Sequence, residues 1–509
     1  MEKYYILAIG GSGALASESL VHLCAAGYIE SKQIDIIVVD PDQTNENVSR
    51  LQQTVLNYNN IRSRIQQRES VFFSSKINYI QTWNPNSKNN NNLENGISYV
   101  ELNTPENLKY KILTNLLFSP DKRKELLDKG YKGNPMIGTI FMKDIEKEQF
   151  FKNMSNEEEL NVFVFGSLFG GTGAAGLPVM GKSLRKLRSE KGKQTSIGAC
   201  IVLPYFGIKA PEQKDIDEFK QNSVKLLPES GNFLPAVKFA IPFYIDRDVN
   251  KENGYDSIYF IGCPKSYVQS QRHFQIGGRS QKNRSHYINL YAASAFLDFI
   301  KEKAKIDSEN NNTSFYATSI DFKDDNSNYL TYENLPDVLK EKDNRLIETF
   351  YISAIYNLKY FQHEGKNQKF TWFYHEKRGL NLTESFFSDD FYGYYKQYCE
   401  KFLIWLGQLR TNILSLEIFN TDYYKYDEEE DVESFNINSF KEDLIGGYRL
   451  HSENSKKSFF SSKITLSSLN DYYLRACDEI EKNDDYQKFL DTLYKGSLKF
   501  IQEKYQKKN

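Results

Sequence analysis

Thr172 stands inside Gly170-Gly171-Thr172-Gly173-Ala174, and the residues before it, from Val162 to Phe169, read VFVFGSLF. An apolar run entering a Gly-Thr-Gly turn that opens a helix lines up backbone N–H groups with the positive end of the helix dipole, an arrangement that holds phosphate. A plain tight turn needs fewer glycines than flank this threonine. A second loop, Gly10-Gly11-Ser12-Gly13, follows the apolar run Tyr4 to Ile9. A third, Lys129 to Pro135 (KGYKGNP), places Gly133 and Asn134 before a proline. Asp40 and Asp42 close the apolar run Ile34 to Val39. Carboxylates there serve a ribose hydroxyl or Mg²⁺, or act as turn openers and helix caps. Asp321 and Asp324, in Ser-Ile-Asp-Phe-Lys-Asp from Ser319, read by themselves as an exposed acidic turn.

The elements that must carry these loops alternate. Strand signals at Tyr4 to Ile9 and Ile34 to Val39 flank a helical pattern from Ala14 to Ala26, the grammar of a mononucleotide-binding half-sheet. Further strands are expected at Ser196 to Leu203 and Ser257 to Ile261, and helices at Leu108 to Leu127 and Tyr287 to Lys303. His286 reads as a helix-start residue. The asparagine-rich stretch Asn84 to Asn95 is too polar to bury and reads as a surface loop. The expected fold is α/β, a doubly wound, mainly parallel sheet with helices on both faces. Beyond about Asn310 the pattern changes to aromatic, charged helices near Leu346 to Phe361, Phe391 to Leu414 and Leu474 to Tyr505. A strand-like Lys369 to Tyr374 lies among them, and the acidic run Asp427 to Asp431 reads as a solvated loop. Residues 1–310 therefore form the expected nucleotide-binding domain, and 311–509 a mainly helical carboxy-terminal domain without a declared role.

At 509 residues the chain can bury two or three substantial cores. A net charge of -2 supplies no global basic field, so nucleic acid is not an expected partner. The five cysteines are scattered and never paired as C-x-x-C, and no histidine pairs with Cys or Glu at ligand spacing. No protein-built metal site is expected. No apolar run approaches the roughly 18 to 20 residues of a membrane helix, and the chain's start reads as strand and turn rather than a signal peptide. The expected compartment is the cytoplasm.

Taken alone, Gly11-Ser12-Gly13-Ala14-Leu15-Ala16 fits G-x-G-x-x-A with Asp40 as the ribose acid, a dehydrogenase-like reading. The stretch DPDQTNENVSR is also similar to the acid, Asn and Arg pattern of ubiquitin-activating-type adenylyltransferases, but with its spacing off by a residue. Taken together, the glycine loops point elsewhere. VFVFGSLFGGTGAAGLPV resembles the signature of the tubulin and FtsZ superfamily, with Phe169 in place of the first glycine, Ala174 in place of the hydroxyl residue and Ala175 in place of the last glycine. The loops at Gly10 to Gly13 and Lys129 to Pro135, and SIGACIVLPYF from Ser196, resemble further family segments in the family's order, over roughly residues 1 to 310.

The resemblance implies GTP with Mg²⁺ across the glycine loops, bound through Gly10 to Gly13, Asp40, Asp42, Gly133, Asn134 and Gly170 to Ala174. It also implies head-to-tail self-association, with hydrolysis at subunit contacts assisted by Asp321 and Asp324. Ala14 replaces the family's base-contacting Asn, and His286, Tyr287 and Asn289 have the wrong spacing for the base contacts on the central helix. Guanine specificity thus comes from the resemblance. The alternatives are a non-polymerising nucleotide switch or complex subunit, with partners met through the carboxy-terminal region, and a dinucleotide- or ATP-dependent enzyme.

Overall fold

A computed structural model describes residues 1–65, 70–86, 92–98, 105–131, 133–191, 195–208, 233–246, 254–263, 269–272, 278, 281–303, 313–318, 329–340, 345–360, 372, 380, 382, 384–412, 414–428, 431–440, 466–480 and 484–503. Among these, seven strands form one wholly parallel sheet: β1 (Lys3–Ile9), β2 (Gln33–Val39), β3 (Lys76–Trp83), β4 (Leu160–Ser167), β5 (Thr195–Val202), β7 (Ser257–Ile261) and β9 (Ser314–Thr318). Their spatial order is β3-β2-β1-β4-β5-β7-β9. A short parallel pair, β6 (Phe206–Ile208) with β8 (Gln269–Arg272), stands apart. Every residue of β4 is buried, as a parallel strand covered on both faces must be.

The helices of the first part are α1 (Gly10–Ala26), α2 (Glu46–Arg62), α3 (Leu93–Ser98), α4 (Pro105–Leu117), α5 (Pro120–Lys124), α6 (Pro135–Met142), α7 (Gln149–Asn156), α8 (Gly171–Lys191), α9 (Phe233–Ile245) and α10 (Tyr287–Glu302). Side chains alternate across β4: Phe163 meets Phe296 and Phe299 of α10, whereas a Cβ on Gly166 would stand 2.9 Å from Leu177 of α8. Helices α8 and α10 thus cover opposite faces, with α1 beside α10 and α6 beside α8. The doubly wound α/β arrangement expected from the sequence is the one observed.

The expected helix at Leu108 to Leu127 is two, because Pro120 starts α5 with Ser119 capping Lys122 N–H at 3.4 Å. Strand β3 escapes sequence reading: KINYIQTW is an edge strand in which Ile77 and Trp83 alone are buried. Helix α3 occupies part of the asparagine-rich stretch expected to be loop.

The second part supplies α11 (Asp337–Lys340), α12 (Leu346–Tyr360), α13 (Glu384–Ser388), α14 (Asp390–Arg410), α15 (Leu466–Asp478) and α16 (Asp485–Ile501). Two short strand pairs accompany them, β10 (Tyr329–Leu330) with β11 (Ser415–Leu416) and the hairpin β12 (Tyr424–Asp427) with β13 (Val432–Phe435). The expected helix from Leu474 is likewise two, with Asp484 capping the second through Tyr486 N–H at 3.0 Å. Of the strand expected at Lys369 to Tyr374, all but Trp372 lies outside the described residues.

Helices α12 and α14 pack over α1 and α2. Tyr398 donates to the Val21 carbonyl at 3.2 Å, and Trp405 Nε1 to Ser19 Oγ at 3.2 Å. His22 is fully buried between Tyr398, Phe402 and Trp405, which pushes its pKa well down and leaves it neutral. One continuous apolar core runs from Tyr4 to Ile501.

Candidate functional site

Strands β1 and β4 are neighbours whose following helices leave to opposite faces. Their carboxyl ends therefore form the switch point of the sheet, where an open α/β fold has its crevice. The two glycine loops lie at those ends. Gly10 leaves β1 with φ +68°, and a Cβ there would stand 3.3 Å from Thr172 Cβ. A Cβ on Gly13 would meet Ala8 carbonyl carbon at 2.8 Å and Phe165 O at 2.9 Å, so α1 starts against both strands. On the other side a Cβ on Gly173 would lie 2.6 Å from Ser167 O, which fixes glycine at the turn into α8.

The third loop closes on the same threonine. Gly130 (φ +94°) and Gly133 (φ +75°) need left-handed backbone, and Asn134 N–H donates to Tyr131 O at 2.8 Å. A Cβ on Gly130 would be 3.9 Å from Thr172 Oγ1, and one on Gly171 would be 2.9 Å from Gly133 N. Tyr131 anchors the loop by donating to Asn86 Oδ1 at 3.1 Å. Gly10, Gly130, Gly133, Gly171 and Thr172 thus converge, while Gly11, Ser12, Gly170 and Ala174 are half-buried around them. Ile9 gives α1 no side-chain cap, and neither α1 nor α8 has an acid in its first turn. The helix starts retain the positive character that attracts an anion.

Asp40 and Asp42 lie in the next loop, buried. Asp40 Oδ1 accepts Asp42 N–H at 2.9 Å and Oδ2 the Asn45 amide at 3.4 Å. Burial, reinforced by the nearby Asp42 carboxylate, pushes the Asp40 pKa up to about 7. Asp42 accepts Thr44 N–H at 3.0 Å and Gly278 N–H at 2.6 Å. These bonds make the acids braces of the loop. Among the described residues no three His, Cys, Asp or Glu side chains are gathered to hold a metal ion.

Sequence reasoning missed Asn45 and Asn47. Asn45 caps α2 by accepting Asn47 N–H at 3.0 Å, and Asn47 Oδ1 accepts Asn283 N–H at 2.8 Å. Asn47 is 1% exposed; its Nδ2 has no hydrogen-bond partner and would stand 3.1 Å from a Cβ on Gly11. An unspent buried donor beside the first glycine loop is a ready ligand group. The local signal was a polar residue at a helix position facing the core. Arg50, one turn on, pairs with Glu18 of α1 at 2.6 Å and donates to Asn283 O at 2.9 Å, closing that side of the crevice.

Phe169, which departs from the glycine of the signature, points into an aromatic cluster with Tyr205, Phe206 and Phe233. Tyr205 stacks at 4.7 Å on His286, which caps α10 by accepting Ile288 N–H at 3.2 Å. Asn289 Oδ1 accepts His286 N–H in return, at 2.7 Å, so both polar residues are engaged in helix capping. Asp321 and Asp324 lie outside the described residues.

Fold and site together define a doubly wound α/β protein whose switch-point crevice is lined by three glycine loops. A family model described as "Tubulin like" matches residues 136–356, from just after the third loop through the signature and α10. Over that segment, less than half of its length, the chain is similar to the tubulin-like family. It is also similar to the solved structure of CetZ from Methanosaeta thermophila strain DSM 6194, at 14% identity and a TM-score of 0.27, covering 61% of this chain and 56% of that chain. The match thus spans little more than half of that protein's length. No curated protein matches. No helix among the described residues is long and apolar enough to cross a membrane.

Proposed function

We propose that this protein binds GTP with Mg²⁺ across the crevice between β1 and β4 and self-associates head-to-tail in a nucleotide-dependent way, in the cytoplasm. The convergence of three glycine loops on Thr172 carries the reading, because a dinucleotide fold needs the first loop alone. The uncapped start of α1 and the free Asn47 amide suit a polyphosphate. Asp40 is spent on its own loop, which weakens the ribose-acid alternative. Mg²⁺ would sit on the phosphates beside Thr172 and supply charge neutralisation there. A head-to-tail contact is heterologous and yields open filaments unless the rotation closes. We assign residues 1–310 to nucleotide binding and 311–509 to an accessory role. The buried, unpaired Cys24, Cys200, Cys399 and Cys477 suit a reducing compartment.

Nucleotide released from the purified, denatured protein and identified by chromatography should be GDP or GTP; NADP or ATP without guanine nucleotide sinks the proposal. Thr172→Ala should weaken GTP binding at least about tenfold in equilibrium titration, the loss of one or two charge-assisted hydrogen bonds. Pelleting should depend on GTP and disappear in this variant. Asp321→Ala with Asp324→Ala should preserve binding and slow turnover; an unchanged rate removes them from the mechanism.

A further inference from the structure

Helix α4 carries its apolar residues on the outside. Leu108, Ile112 and Leu116 recur every four residues with Leu113 and Leu117 beside them, so the five share one broad face. Leu116 is 78% exposed, and each of the other four is just over half exposed. The opposite side seats the helix: Thr114 and, just past the helix end, Phe118 are buried, and Phe118 joins the main core. A contiguous exposed patch of large aliphatic side chains marks an interaction surface.

The charge around this patch is one-sided. Residues 105–124 contain five Lys or Arg against two acids, in a chain of net charge -2. Lys109, Lys111 and Lys124 are exposed and Lys122 is half-buried, and none of the four pairs with a carboxylate among the described residues. Arg123 ties α5 back to α4 through Asn115 Oδ1, so the cations of α5 stay beside the apolar face. Lys109 decides what kind of partner fits. It precedes Ile112 and Leu113 by one turn and so lies within the apolar face itself. Pressed against the apolar face of a second copy, it would be buried without a counter-ion, which disfavours that contact strongly. At the surface of an anionic bilayer the same side chain can lay its methylenes along the leucines and extend its ammonium to lipid phosphate.

We propose that α4 is an interfacial anchor: its leucine face lies in the headgroup layer of an anionic membrane, while Lys109, Lys111, Lys122 and Lys124 meet lipid phosphates. With 13 residues α4 is too short to span a bilayer, and its apolar face is already on the folded surface, so the contact is peripheral and needs no unfolding. None of the glycine-loop residues takes part.

Flotation of the full chain with phosphatidylcholine vesicles containing about 30% phosphatidylglycerol tests it. The chain should float with them at about 100 mM salt, and binding should fall at least about tenfold at about 500 mM salt or with phosphatidylcholine alone. Leu113→Asp with Leu116→Asp should abolish flotation, and Lys109→Glu with Lys111→Glu should weaken it at least about tenfold. All four side chains are exposed, so both variants should melt at the wild-type temperature. The three native tryptophans are buried, which makes Leu116→Trp a clean reporter. Its emission should shift to the blue with the anionic vesicles and stay in place with phosphatidylcholine. A wild-type chain that does not float, variants that float like it, or an unshifted Leu116→Trp emission overturns the proposal. A chain that ignores vesicles but dimerises in sedimentation velocity, with the dimer lost in the Leu113→Asp, Leu116→Asp variant, does the same. Thr172→Ala should leave flotation unchanged, which separates its failure from failure of the nucleotide reading.

Discussion

Thr172 touches loops from three parts of the chain, so its neighbours are constrained more by each other than by local turn geometry. Gly10 is needed for its φ of +68°, and a Cβ there would also crowd Thr172 Cβ at 3.3 Å. Asp40 offers a test that does not depend on ligand. Its pKa of about 7 lies above the ordinary carboxylate value, so the folded state holds a proton that the unfolded chain has already lost between about pH 4 and 7. Folding stability contributed by this group is therefore present at low pH and is lost as pH rises through 7. Asp40→Asn cannot ionise and keeps an oxygen for Asp42 N–H. Its melting temperature should gain on the wild type as pH rises from 5 to 8; a difference independent of pH would show that Asp40 is ionised throughout.

At the scale of elements, the crevice is closed by segments distant in sequence. Asn283 and Asn47, 236 residues apart, join the approach to α10 to the start of α2, and Arg50 ties both to Glu18 of α1. Glu18 is 4% exposed, so Arg50→Ala would leave a buried carboxylate without its partner. The expected cost is about 3 kcal/mol in urea unfolding. Glu18→Gln combined with Arg50→Met should recover much of it, because the stranded charge is then gone. A single variant within about 0.5 kcal/mol of wild type would show that the pair is solvated. Strands β1, β2, β4, β5 and β7 were legible because burial on both faces makes them near-continuous apolar runs. Strand β3 was not, since an edge strand with one covered face mixes polar and apolar residues. The glycine loops were legible because left-handed φ and a tight strand-to-helix turn leave glycine in the sequence locally, whereas Asn45 and Asn47 gain their roles from partners a domain's length away.

The molecule as a whole is layered: α6 and α8, the sheet, α1, α2 and α10, and then the carboxy-terminal helices. Fifteen of the seventeen residues of α1 are buried, which requires cover from α14 as well as from the sheet. A chain ending at residue 318 should therefore lack cooperative unfolding, with the surface around His22 and Ser19 exposed to water. Cooperative unfolding of that fragment by calorimetry would show that the sheet domain is self-sufficient. The amino-acid sequence by itself determined the strand–glycine–helix units, their order and the tubulin-like resemblance of the signature loop, because apolar runs and glycine spacing act over a few residues. Only the tertiary structure decided that Thr172 is the meeting point of three loops and that Phe169 belongs to an aromatic cluster. It also decided that Asp40 spends its oxygens on its own loop, that Asp42 braces that loop against Gly278, and that the carboxy-terminal helices share the core. Each of those outcomes depends on which surfaces meet across the sheet, a relation that spacing along the chain does not encode.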